Sequence, residues 1–109
     1  MTKVKVFREG GNIRGFDIHG HAGAGNGGEY DMVCAAISGI AYTALGALDE
    51  MCGIHAYHEA DGHLKMMLPP LTDDTVRNKA NIILEAMEIG FKQIEAQYPR
   101  YIRTLCKEV

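Results

Sequence analysis

Between Asp31 and Cys52 the chain is apolar or small on nearly every side of a helix. Val33, Ile37, Ile40, Ala44, Leu45 and Leu48 leave no wide polar stripe. Such a helix is expected to be buried on most of its surface. Its alanines and glycines would let it lie close against a sheet or a second helix. Asp31 is placed to cap its start by accepting from free N–H groups two and three residues on. Gly53 is a natural stop, since the residue after a helix favours a left-handed backbone.

The covering layer is expected from two hairpins. Residues 3–8 alternate Lys3 and Lys5 with Val4 and Val6, the pattern of a half-buried strand. Glu9-Gly10-Gly11-Asn12 is turn chemistry. Residues 13–19 then put Phe16 and Ile18 on one face and Asp17 and His19 on the other. Gly15 inside this strand marks a bulge or a close backbone approach. A second hairpin, 54–59 with 63–68, turns at Asp61-Gly62. Its inner side is expected to group Ile54, Ala56 and His58 with Leu64, Met66 and Leu68.

Pro69-Pro70 ends that hairpin, and Thr72 is expected to cap a second helix with Asp73 and Asp74 in its first turn. Val76, Ala80, Ile83, Met87, Phe91 and Ile94 recur at helical spacing until Pro99 closes the run. The tail, 100–109, offers an edge strand. The expected architecture is one α+β domain over residues 1–109: a two-layer ββαββα sandwich, its sheet rich in antiparallel pairs and both helices on one face.

The totals narrow the function. A chain of 109 residues with net charge −3 has material for one core and no surplus of positive charge, so no direct nucleic-acid partner is expected. No apolar run is read as approaching the ~18 residues of a membrane span, so no membrane partner is expected. The start alternates like a strand and carries no secretory core, which points to the cytoplasm. Three cysteines without paired spacing read as reduced thiols.

One thiol stands out. Cys34 is expected in the first turn of the first helix, where free N–H groups and the helix dipole favour a thiolate. Cys52 falls at the opposite end, where the dipole disfavours the anion, and Cys106 lies in the tail. His21 ends the strand before a glycine-rich stretch that can fold it back over Cys34, a thiol–imidazole pair suited to nucleophilic catalysis. His19 is an alternative base, whereas His55, His58 and His63 read as surface or satisfied histidines. Ser38, one turn after Cys34, can hydrogen-bond the thiolate or its own helix backbone. Backbone N–H groups at the helix start would supply an oxyanion hole.

Gly23, Gly25, Gly27 and Gly28 are expected to lie in a flexible loop, and Tyr30 at its end reads equally as a wall of a peptide groove or as a packing residue. Their literal match to a dinucleotide fingerprint lacks the required strand–helix context, and no cofactor is expected. A metal site from His19, His21 and Cys34 matches no standard zinc spacing, and no metal is expected either.

The pattern Gly20-His21-Ala22, a glycine-rich gap, then Tyr30-Asp31-Met32-Val33-Cys34-Ala35-Ala36-Ile37-Ser38 resembles the ribosomal-processing cysteine protease family called Prp. The similarity extends over most of the chain. It implies a Cys34–His21 dyad, a homodimer, and removal of a short N-terminal extension from large-subunit ribosomal protein twenty-seven. The rival readings are another thiol hydrolase such as a thioesterase, a redox enzyme, and a non-catalytic ribosome-associated or RNA-binding module, the last disfavoured by the acidic balance and by the lack of an aromatic stacking motif on the expected strands. Redox pairing is disfavoured because Cys52 is 18 residues along the helix from Cys34, about 27 Å.

Overall fold

A computed structural model describes the backbone of residues 1–20 and 29–109, and the side chains of 1–20 and 32–109. In order the elements are β1 (Thr2–Glu9), β2 (Asn12–His19), α1 (Glu29–Cys52), β3 (Tyr57–Ala60), β4 (His63–Met67), α2 (Asp74–Gln97) and β5 (Ile102–Glu108). They form a five-stranded sheet in the order β3-β4-β2-β1-β5, antiparallel except where β5 runs parallel to β1. The tail therefore completes the sheet as an edge strand, giving ββαββαβ. A parallel neighbour needs a crossover, and α2 supplies it.

The expected alternation holds along the sheet. Val4, Val6, Phe16, Ile18, Leu64 and Met66 face the helices and are buried. Lys3, Lys5, Asp17, His19 and Lys65 face away, paired across the strands. Register breaks once, between Phe7 and Arg8, where Arg14 is an extra residue in β2. This bulge is why Ile13 and Phe16, three apart, are both buried. Gly15 beside it answers to the second expectation too. A Cβ there would lie 2.2 Å from the Met66 carbonyl oxygen, so only glycine lets β4 come this close.

Four local expectations are corrected. The first helix begins at Glu29, so Asp31 is its third residue and not its cap. The cap of α2 is Asp73, whose Oδ1 accepts from the Val76 N–H at 3.1 Å; Thr72 precedes it. His58 pairs with Lys65 on the outer face, whereas Tyr57 and Glu59 pair with Met66 and Leu64 on the helix side. Strand β3 starts at Tyr57, not residue 54, and the alternation is reckoned from there.

The fourth correction concerns how α1 is buried. Val33, Ile37, Ala41, Ala44, Leu45 and Leu48 enter the core. Met32, Ala35, Ala36, Gly39, Tyr42 and Thr43 are exposed. The two helices fill a single layer, so among the described residues each keeps an outward side with no second layer over it. Met32–Cys52 is long and apolar enough to cross a membrane, with mean hydropathy 1.5 and a third of its window buried. That revises the reading that no run approaches a span, but the buried face makes α1 a core helix here. Its end is as expected: Gly53 has φ 66° and its N–H bonds the Asp49 carbonyl at 2.9 Å.

Candidate active site

Helix α1 carries Cys34, Ser38 and Tyr42 at four-residue spacing, which stacks them along one side of the helix. That side forms one wall of a groove of about 220 Å³. Ile18 and Gly20 close it at the end of β2, and Glu59, Ala60, Gly62, His63 and Leu64 form the wall across from the helix. The Tyr42 hydroxyl donates to Glu59 Oε2 and ties α1 to β3. That hydrogen bond, with burial and the nearby charge, raises the Tyr42 phenol above its ordinary 10.0. The hydroxyl is therefore a donor, and it holds the Glu59 carboxylate at the groove.

Cys34 is half-buried and forms no disulfide. It is the sixth residue of α1, in the second turn rather than the first. The unpaired N–H groups belong to the first four residues of the helix. A helical Cβ tilts toward the N-terminus, so the thiol is aimed back at that turn. The Ser38 hydroxyl makes no hydrogen bond among the described residues, which leaves it available to the groove. Thr43, by contrast, bonds back to the Gly39 carbonyl at 2.6 Å.

His21, Gly23, Gly25, Gly27 and Gly28 lie outside the described residues, and Tyr30 and Asp31 are placed by backbone alone in the first turn of α1. His19 is on the outer sheet face, paired with Lys3 and set edge-on to His63 with ring centroids 5.5 Å apart. It does not share the Cys34 groove. Cys52 reaches toward the start of α2 and Cys106 toward Glu88, both outside the groove. Among the described residues no group of three His, Cys, Asp or Glu side chains is placed to hold a metal ion.

Tyr42 and Glu59 go unmarked in the sequence, and His63 reads there as a surface or satisfied histidine, not as a groove residue. Tyr42 had a signal, standing two turns after Cys34 on one helix side. Glu59 and His63 had none, because only strand register brings the second hairpin to the thiol. His63 Nε2 is 2.9 Å from Asp17 Oδ1.

A half-buried thiol on the wall of an open groove, between a helix and the end of a sheet, is an arrangement suited to a thiol-dependent enzyme. The fold has solved counterparts. A protein of Streptococcus mutans superposes with TM-score 0.85 at 24% identity, over 100% of this chain and 96% of that one. The ribosomal processing protease Prp of Staphylococcus aureus, in complex with a substrate peptide, gives 0.83 at 24%, over 98% and 100%. The ribosomal processing cysteine protease Prp of Bacillus subtilis is 28% identical over 94 residues, 84% of this chain and 83% of its own. The profile of the cysteine protease Prp family matches residues 1–103, and this chain belongs to that family of cysteine proteases.

Proposed function

We propose that Cys34 is the nucleophile and His21 the general base of a peptidase that trims a ribosomal protein. The substrate is the N-terminal extension of large-subunit ribosomal protein twenty-seven. The observation carrying this is that Cys34, of the three thiols, stands in the groove with open walls. His21 takes the thiol proton, Cys34 attacks the scissile carbonyl, and the imidazole returns the proton to the leaving amine. Water, activated by the same imidazole, then hydrolyses the acyl-enzyme. Ser38 is the group on the helix side able to hydrogen-bond the thiolate or the peptide.

The processing role is supported by the Bacillus subtilis relative and by the peptide complex from Staphylococcus aureus. The cytoplasm is the proposed setting, where three unpaired cysteines stay reduced. A homodimer is proposed from the outward side of the helices. There Ala36, Gly39, Thr43, Ile83, Ala86 and Gly90 line an apolar groove of about 570 Å³ that a second copy would cover.

The test is cleavage of a peptide carrying the extension by wild type, Cys34→Ala and Cys52→Ala. Cys34→Ala should lose at least about 10³-fold in kcat, as expected for a nucleophile, and Cys52→Ala should stay within a few-fold. Residual cutting by Cys34→Ala at the wild-type rate would remove the nucleophile assignment.

A further inference from the structure

The sheet face turned away from both helices gathers cations by register. Lys3 stands between Arg103 of β5 and His19 of β2, and His19 beside His63 of β4. One step along, Lys5 stands between Leu105 and Asp17, followed by Lys65 and then His58. A further step sets Phe7 beside Lys107. Asp17 is the carboxylate among these rows, and it is engaged by His63 at 2.9 Å. The acids that make the chain negative lie largely elsewhere: Glu85 and Glu88 on α2 hold Arg8 on the helix side, and Asp73 and Asp74 begin α2.

We propose that this outer sheet face docks single-stranded RNA. Lys3, Lys5, Lys65, Arg103 and Lys107 meet phosphates, and the Phe7 and histidine rings take bases. Neighbouring strands are about 4.8 Å apart and same-face residues about 7 Å apart along a strand, so the face is a close lattice of positive charge with rings set into it. A basic surface with interleaved rings is what unpaired RNA recognises. A second copy laid face to face would oppose like charges. A bilayer would need apolar anchors, and Leu105 is the exposed large apolar residue here. His63 borders both the Cys34 groove and the hollow lined by Lys3 and Lys5. RNA held on the face therefore lies next to where a peptide would be cut. The proposal goes beyond the protease reading and does not depend on it.

The probe is a fluorescein-labelled twelve-nucleotide oligouridylate, followed by anisotropy with the full chain at about 50 and about 200 mM salt. Wild type should bind with a log–log salt slope of about −0.7 per phosphate contacted. Lys5→Gln with Lys65→Gln should weaken binding about tenfold and flatten the slope by about 1.4. Lys79→Gln with Lys92→Gln, an equal charge change on α2, should leave binding unaltered. Thermal melts check folding, and Arg103→Gln with Lys107→Gln is the second variant pair should the first melt early. No anisotropy change at about 100 µM protein, or equal losses in the α2 pair, overturns the proposal. So does displacement of the RNA by polyglutamate of matched charge, or binding to phosphatidylserine vesicles in place of RNA.

Discussion

Glu88 on α2 shows how a buried charge is made tolerable. Its side chain is 4% exposed, and its oxygens meet Arg8, the Cys106 thiol at 3.2 Å and Lys92 at 3.4 Å. Burial pushes its carboxyl up, but the Arg8 hydrogen bond, the thiol and the two cations more than offset that. The group titrates below its ordinary 4.5. Arg8 is held far above its ordinary value by Glu85 and Glu88 and stays charged. A carboxyl depressed in the folded state adds stability above the unfolded value, and that part is lost as pH falls below about 4.5 and through the folded value. Glu88→Gln should cost about 1–3 kcal/mol at neutral pH, and its stability should fall less steeply below pH 4.5 than wild type. Urea melts across that range check both. Position 8 reads as inward from the alternation of Val4 and Val6, but its two carboxylate partners, 77 and 80 residues away, were not legible.

At the level of elements, the strands and turns were readable where the signal was local, and boundaries slipped where two residues could do the same job. Thr72 and Asp73 are both good caps, and the carboxylate took the place. In β2 the sequence showed a glycine without saying which of two reasons kept it, and the bulge and the close approach of β4 coincide there. Gly15→Ala should therefore destabilise by roughly 3 kcal/mol, because the obstructing atom is the Met66 carbonyl oxygen and backbone cannot step aside. Gly11→Ala meets nothing within 4 Å and should be near neutral. Thermal melts of the pair measure the contrast, at about 4–8 °C per kcal/mol for a domain of this size.

At the level of the whole molecule, two helices over one sheet face leave two surfaces open, and their chemistry differs. The helix side is apolar, with Ile82 and Ile89 standing exposed by the groove between α1 and α2. The sheet side is cationic. The double variant Ile82→Glu with Ile89→Glu should split a dimer formed on the helix side and leave each subunit's melt nearly unchanged. Sedimentation over a range of concentrations reads this directly, and an unaltered dimer would move the contact elsewhere. By itself the sequence determined the helices, the first hairpin, the Asp61-Gly62 turn and Cys34 as the thiol to watch, because periodicity, turn chemistry and helix position are carried by neighbouring residues. Only the tertiary structure decided that β5 lies parallel beside β1, that α1 keeps one side open, that Glu59 and His63 line the groove with Cys34, and that a chain of net charge −3 gathers five of its 11 Lys and Arg on one sheet face. Each of these depends on pairing between residues far apart along the chain, which no local pattern encodes.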